Sequence, residues 1–329
     1  MDSALVIGGT RFIGRHLVEE LLEHDYDVTL ANRGNHENPF VDHPRVDHVT
    51  TDRQDRASLE AAADRIDPDA VFDMVAYFPE EVRVATTVFA HVDAYVFVSS
   101  GAAYEVGDIP KREDETTLRS CTPEEAVTDS AETYGQRKAE GDREVFTAAE
   151  EGVAAMSVRP CVVYGPHDYT ERVDYWIDRV GSHDRVLVPG DGTNIWHRVF
   201  VEDVASALRI VAERGEPGEA YNVGDRYLVT LDGMIELIAA ALETEVEIVH
   251  ASERELAVAD VEPGDFPLYI EDPHVLSTAK LASLGWSSTP LEEAMGITVE
   301  EHLESDRDGH ERGPVREVAD RVLGVLDTL

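Results

Sequence analysis

Lysine is nearly absent from this chain: three occur in 329 residues, Lys111, Lys138 and Lys280. Basic charge is scarce as a whole, with 28 Lys plus Arg against 68 Asp plus Glu and a formal net charge of −40. No basic patch is available to displace phosphate counterions, so nucleic acid is disfavoured as a partner. Cysteine is scarce too. Cys121 and Cys161 do not amount to a disulfide framework, and a reducing cytoplasm is the simple expectation. No apolar run reaches the 18 or so residues of a membrane span, so no membrane partner is expected. The strand-like Ala4-Leu5-Val6-Ile7 comes early enough that no secretory signal is expected before it. His36, His43 and His48 are unevenly spaced in loop-like sequence, and no metal site is expected.

What the chain has in excess is carboxylate. Such a surface repels itself at low ionic strength, whereas molar salt cuts the screening length to about 3 Å. The composition resembles that of cytosolic proteins from salt-loving organisms, whose carboxylates keep the surface hydrated in concentrated salt. An acidic enzyme from an ordinary source is the alternative. The apolar fraction of 43% suffices for a packed core. The length permits one large α/β domain with a smaller lobe.

Short apolar runs alternate with helical stretches through the first half. Strands are expected at Ala4–Ile7, Val28–Leu30, Val46–Thr50, Ala70–Val75, Tyr95–Ser99 and Ala154–Val158. Helices are expected at Phe12–Glu23, Leu59–Ile66, a segment ending with Thr86–His91, and Thr133–Ala149. This rhythm predicts parallel strands with crossover helices, an α/β fold of the Rossmann-type, doubly wound kind. Gly107–Asp129, rich in charge, Pro and Thr, reads as a long surface loop. Beyond Gly165 the order becomes irregular, with helices expected at Thr170–Val180, Val204–Glu213, Leu231–Ala241 and Val315–Leu326 and a strand at Val246–His250. The domains expected are a dinucleotide-binding unit at 1–165 and an interleaved, smaller substrate lobe at 166–329. Segments around 195–225 return to the first unit.

Gly8-Gly9-Thr10-Arg11-Phe12-Ile13-Gly14 lies between the first strand and the first helix. Glycines there permit a tight turn and let backbone N–H groups approach a pyrophosphate at the helix N-terminus. About 20 residues on, where a carboxylate would bind the ribose 2′-hydroxyl of NAD, the chain has Ala31-Asn32-Arg33. No carboxylate there would repel a 2′-phosphate, and Arg33, with Arg11 on the turn, is suited to pair with one. The cofactor expected is NADP(H) in preference to NAD(H).

Tyr134 and Lys138 stand four apart on a predicted helix and project to one face. A phenol can exchange the proton of an alcohol or carbonyl while a nicotinamide exchanges the hydride. Its ordinary pKa near 10 must fall by about three units, or about 4 kcal/mol, to serve near neutrality. One ammonium about 4 Å away supplies about that much at an effective dielectric of 20. Ser100, in the strand-end pair Ser99-Ser100, is placed to hydrogen-bond the substrate oxygen.

The order of motifs adds what each alone lacks. The glycine turn is followed by Ser99-Ser100-Gly101-Ala102-Ala103-Tyr104, by Tyr134-Gly135-Gln136-Arg137-Lys138, and by Arg159-Pro160-Cys161-Val162-Val163-Tyr164-Gly165-Pro166. Phe200-Val201-Glu202-Asp203, Tyr221-Asn222-Val223-Gly224 and Leu284-Gly285-Trp286 come later. This succession, over about residues 4–300, resembles the extended short-chain dehydrogenase/reductases, the NAD-dependent epimerase/dehydratase family. The resemblance implies an NAD(P)-dependent oxidoreductase or epimerase acting on a sugar-like or nucleotide-sugar substrate. It implies a catalytic triad of Ser100, Tyr134 and Lys138. Gly8, Thr10, Phe12, Ile13 and Gly14 would contact the pyrophosphate, and Asp52-Arg53 the adenine. Asn32 and Ser99 join the cofactor residues. Val75-Ala76-Tyr77 would pass under the ribose, and Pro160 would lie beside the nicotinamide.

Three departures qualify it. Arg11 replaces the family's middle glycine, as in atypical members that include chloroplast RNA-binding relatives. A non-catalytic cofactor-sensing or RNA-binding protein is therefore the alternative from another class. The sugar dehydratases of the family carry Asp-Glu directly after the Ser or Thr; Gly101-Ala102 here argue against dehydration. Many nucleotide-sugar members hold a pyrophosphate with an arginine seven residues before the Asp of Val-x-Asp, where this chain has Trp196, followed by His197 and Arg198. Tyr104, Arg172, Trp196, His197 and Arg198 are the candidate substrate residues. A homodimer is the assembly expected by default.

Overall fold

Strand-length apolar runs separated by amphipathic helices fold as their order dictates. The computed structural model describes residues 1–328. The first half comprises β1 (Ser3–Ile7), α1 (Phe12–Glu23), β2 (Asp27–Asn32), β3 (Val46–Thr50), α2 (Arg56–Ile66), β4 (Ala70–Asp73), α3 (Pro79–Val88), β5 (Ala94–Val98), α4 (Tyr134–Glu150) and β6 (Ala155–Pro160). Then come β7 (Val162–Tyr164), α5 (Arg172–Ser182), β8 (Arg185–Pro189), β9 (Arg198–Phe200), α6 (Val201–Arg214), β10 (Ala220–Val223), α7 (Leu231–Ala241) and β11 (Glu247–Ala251). The chain closes with α8 (Glu253–Leu256), α9 (Ala279–Ser283), α10 (Leu291–Glu304) and α11 (Arg316–Leu326).

Two units emerge. One comprises Met1–Val163, Val201–Gly224 and Leu276–Ser287; the other comprises Tyr164–Phe200, Asp225–Val275 and Ser288–Leu329. The first is built on a seven-stranded sheet in the order β10-β6-β5-β4-β1-β2-β3, parallel throughout. This is the Rossmann-type, doubly wound arrangement. The order reverses between β1 and β4, and in such sheets the crevice outside the carboxyl ends at that reversal receives ligands. Leu5, Ile7, Val71, Tyr95 and Phe97 present one sheet face to Leu59 and Ala63 of α2, Val82 and Ala85 of α3, and Val145 and Ala148 of α4. Helices α1 and α6 pack on each other. In the second unit, β8 and β11 form a parallel pair.

Several elements differ from expectation. Helix α3 ends at Val88, not His91, because the chain turns so that Phe89 and Val92 both enter the core. Strand β4 ends at Asp73, two residues early, and the chain leaves the sheet after Met74 N–H donates to Ile7 O at 3.1 Å. Strands β7 to β10 and helices α8, α9 and α10 are elements that the sequence pattern does not predict.

Candidate active site

Glycine turn first. Gly8 and Gly9 have φ of 116° and 88°, a region L side chains avoid. A Cβ on Gly14 would lie 2.7 Å from Gly9 N, so only glycine lets α1 start this close to the turn. The first turn of α1 has no side-chain cap and no acidic residue, which suits an anion at the positive helix terminus. These features fit the pyrophosphate of a dinucleotide. Thr10 and Ile13 are half-buried, Phe12 is buried, and Arg11 is exposed at the N-cap.

Asn32, the last residue of β2, braces the turn: its Nδ2 lies 3.4 Å from Gly8 O, and its Oδ1 accepts from Gly34 N–H at 2.8 Å. Arg33 next to it is exposed. Asp52 is exposed as well, but Arg53 is not. The Arg53 guanidinium is turned inward against Asp73, which also accepts from Tyr95 OH at 2.9 Å. The Arg53 side chain is thus committed to Asp73 through Nη2 and faces Glu81 through Nη1.

The interval between Ser100 and Tyr134 is long, yet the structure absorbs it. The chain leaves at Glu105 and pairs with itself on its return: Glu105 N–H donates to Thr117 O at 2.9 Å, and Arg119 N–H to Ala103 O at 2.8 Å. The segment is less of a surface loop than its composition suggests. Lys111 is 3% exposed, and its Nζ donates to Glu105 O at 2.5 Å. Ser100 opens a short 3-10 turn, Gly101–Ala103, its Oγ accepting from Ala102 N–H at 3.1 Å. Tyr134 is the first residue of α4 and half-buried. Arg119 Nε donates to Ala102 O at 3.0 Å.

Lys138, one turn further along α4, is 3% exposed. Its Nζ donates to Ala76 O and to Val98 O, each at 2.8 Å. The rings of Phe97, Tyr77 and Tyr134 surround it at 4.8, 5.2 and 5.8 Å. Burial drives its pKa down to about 8, partly offset by Asp73 and Asp142. Ala76 is buried and Tyr77 exposed in the segment leaving β4. Ser99 is buried at the end of β5, and Pro160 ends β6 opposite Val223 of β10.

Tyr104 does not reach a substrate. It is 1% exposed, its hydroxyl donates to Asn222 Oδ1 at 2.8 Å, and Arg159 Nη1 donates to it at 2.7 Å. Arg159 in turn holds Asp142 at 2.8 Å. The aromatic belongs to a closed polar network in the interior, which corrects the substrate expectation.

In the second unit, Arg172 opens α5 with its Nε donating to Thr170 Oγ1 at 3.0 Å. Trp196 is half-buried and bridges to His274. His197 is buried with Nε2 2.8 Å from Asp225 O, and burial lowers its pKa to about 4. Arg198 Nη2 donates to Val229 O at 2.9 Å. His197 and Arg198 are thus fastened to backbone carbonyls.

Arg137 and Glu81 take roles that nothing in the sequence motifs assigns to them. Arg137 is 3% exposed, and its guanidinium spans Tyr77 O at 2.9 Å, Asp129 Oδ1 at 3.0 Å and Ser130 O at 3.1 Å. Glu81, in the first turn of α3, accepts from Tyr77 N–H at 2.8 Å and Phe78 N–H at 3.1 Å. The acidic start after Pro79 signalled a helix cap; nothing local signalled the partner of Arg137.

A family model described as the NAD dependent epimerase/dehydratase family matches residues 4–224. The chain belongs to that family. It is an enzyme of the extended short-chain dehydrogenase/reductase type, dependent on a nicotinamide cofactor. Among curated proteins, it is 27% identical to the chloroplast stem-loop binding protein of 41 kDa b of Arabidopsis thaliana, over 86% of this chain and 74% of that protein. It is 26% identical to the low-salt glycan biosynthesis protein Agl12 of Haloferax volcanii, over 92% and 99%. It is also 26% identical to the dTDP-D-glucose 4,6-dehydratase of Homo sapiens, over 92% and 90%. Two solved structures share the fold. The dTDP-glucose 4,6-dehydratase of Bacillus anthracis in complex with NAD has a TM-score of 0.74 at 19% identity, covering 93% of this chain and 98% of that one. The UDP-glucose 4-epimerase of Thermotoga maritima with UDP-glucose has a TM-score of 0.72 at 23% identity, covering 92% and 99%. Among the described residues, no helix is long and apolar enough to cross a membrane.

Proposed function

We propose that this family member is an NADP(H)-linked oxidoreductase acting on a carbonyl/alcohol carbon of a sugar-like, nucleotide-bearing substrate. Tyr134 is its acid/base. The observation that carries this reading is the convergence at α4: the Ser100 turn against its first residues, and a buried ammonium one turn beyond. When bound, the nicotinamide supplies the hydride acceptor or donor. Ser100 uses its lone pair on Ala102 N–H and keeps its hydrogen to donate to the substrate oxygen. An ammonium has three donors; Lys138 spends two on Ala76 O and Val98 O, leaving one for the Tyr134 side of its cage or for a ribose hydroxyl. The ammonium lies 5.8 Å from the Tyr134 ring centre. A charge at about that range is worth about 3 kcal/mol to a phenolate at an effective dielectric of 20. That is about two pK units, and a hydrogen bond from Ser100 to the shared oxygen would add to it.

The exposed Arg33 and Arg11, with no carboxylate at the end of β2, support a 2′-phosphate and hence NADP(H). The carboxylate-free turn Gly101–Ala103 speaks against dehydration, although curated relatives are named dehydratases. An epimerase with retained cofactor uses the same residues. The stem-loop binding relative keeps a binding role in view, but a net charge of −40 opposes RNA.

The test is Tyr134→Phe. NADPH binding should change less than about threefold, while nicotinamide-coupled turnover across a panel of nucleotide sugars should fall by about 10³-fold. Wild-type turnover should decline above about pH 8 as Lys138 loses its proton. Stoichiometric cofactor released on denaturation would move the reading to the epimerase. A wild-type chain with no affinity for NADPH or NADH would overturn it.

A further inference from the structure

Three side chains fasten the main chain of Ala76–Phe78 with four hydrogen bonds. Lys138 Nζ holds Ala76 O at 2.8 Å, and Arg137 Nη1 holds Tyr77 O at 2.9 Å. Glu81 Oε2 receives both the Tyr77 and Phe78 N–H groups, at 2.8 and 3.1 Å. Glu81 is itself held by Gln54 Nε2 at 3.1 Å and faces Arg53 Nη1 at 3.6 Å. The Arg137 guanidinium also covers the Phe78 ring at 4.8 Å. Two consecutive peptide units, Ala76–Tyr77 and Tyr77–Phe78, thus lie between charged side chains, each with its C=O held from α4 and its N–H held from α3. Arg137 is nearly inaccessible, and its charge is answered by Asp129 at the end of the long loop.

Lys138 has an evident job in the proposed chemistry, since it and the segment itself belong to the cofactor site. Arg137 and Glu81 do not touch the reacting atoms. We propose that they are positioning residues: they clamp Ala76–Phe78 as a rigid floor for the dinucleotide and set its height relative to Tyr134. Arg137 is suited to this because it adjoins Lys138 on α4, so floor and acid/base helix are joined by consecutive residues. A planar guanidinium holds Tyr77 O through Nη1 and the Asp129–Ser130 corner through Nη2 in a fixed fork, a geometry the point charge of a lysine lacks. Glu81 is suited because one carboxylate oxygen takes two successive N–H groups, fixing the local direction of the chain.

This inference rests on the nicotinamide reading of the site, and the experiment separates the two. NADPH is titrated into the full chain by fluorescence, with melting temperature recorded for each variant. Arg137→Ala and Glu81→Gln should each weaken NADPH about tenfold, the loss expected for one charge-assisted bond. The double variant should lose clearly less than the product of the two, because both act on one segment. Arg137→Lys, which keeps the charge but one arm only, should recover part of the affinity. It also serves if Arg137→Ala fails to fold. Arg143→Ala is the control on the same helix: it removes the donor to Arg119 O, at 2.6 Å, and leaves the floor alone. It should bind NADPH within twofold of wild type. Wild-type affinity in Arg137→Ala, full multiplicativity in the double variant, or an equal loss in Arg143→Ala would each overturn the inference. A wild-type chain that binds no NADPH would instead remove the reading beneath it.

Discussion

Gly135 rests directly on the carbonyl oxygen of Ala102. A Cβ at Gly135 would fall well inside van der Waals contact with that oxygen, and 3.0 Å from Arg119 Cδ. The start of α4 and the turn after Ser100 are thereby brought as close as two backbones of this kind can come. Gly135→Ala must push them apart, since the obstacle is main chain and not a movable side chain. The cost should be about 1–3 kcal/mol of stability. Turnover should fall at least about tenfold through misplacement of Tyr134, with NADPH binding less affected. Unfolding curves and steady-state kinetics on this one variant check both.

Arg33→Ala should narrow the preference between cofactors. Loss of a charge-assisted contact with the 2′-phosphate weakens NADPH by about tenfold, and NADH, which lacks that phosphate, should be unaffected. Parallel titrations with the two dinucleotides decide it. Equal changes for both would mean that Arg33 merely lies near the site.

Acid should destabilise the protein partly through His197. Its pKa is lowered from the ordinary 6.5 to about 4 by burial. The unfolded chain therefore takes up a proton below about pH 6.5 that the folded chain refuses until about pH 4. Stability from this group is fully present above the unfolded pKa and is lost as pH falls across that window, by about 3 kcal/mol in all. His197→Gln should flatten the fall between about pH 7 and about pH 4.5, as measured by urea unfolding.

Salt should stabilise. With a net charge of −40, repulsion among surface carboxylates is strong in dilute buffer and screened within about 3 Å in molar salt. The melting temperature should rise by about 5 °C or more between about 0.1 M and about 2 M KCl. An unchanged value would show that the acidic surface is not adapted to salt.

Much of this architecture could be read in advance, for a physical reason. Parallel strands covered on both faces are nearly continuous apolar runs, so β1, β4 and β5 stood out, and α1 and the mostly exposed edge strand β3 were bounded to the residue. The glycine turn was legible because positive φ at Gly8 and Gly9 leaves a glycine signature. Tyr134 and Lys138 were legible because i, i+4 spacing on a helix is a local property. What stayed hidden depends on partners far along the chain. Arg53 reads as a polar residue after a strand, and only the fold sets it against Asp73 and Glu81. Arg137 reads as one more exposed helical arginine until Tyr77 and Asp129 arrive beside it. Tyr104 misled because a phenol in the interior and one in a pocket look the same in sequence; its neighbours Arg159 and Asn222 lie 55 and 118 positions away.

The placement of the lysines has a practical consequence. Lys111 and Lys138 are buried, and Lys280 is half-buried and ion-paired with Glu219 and Asp114. Amine-directed reagents will therefore find few reactive lysine side chains while the protein is folded. Under gentle acylation Lys111 and Lys138 should stay unmodified until the chain unfolds, which makes their labelling a simple read-out of denaturation.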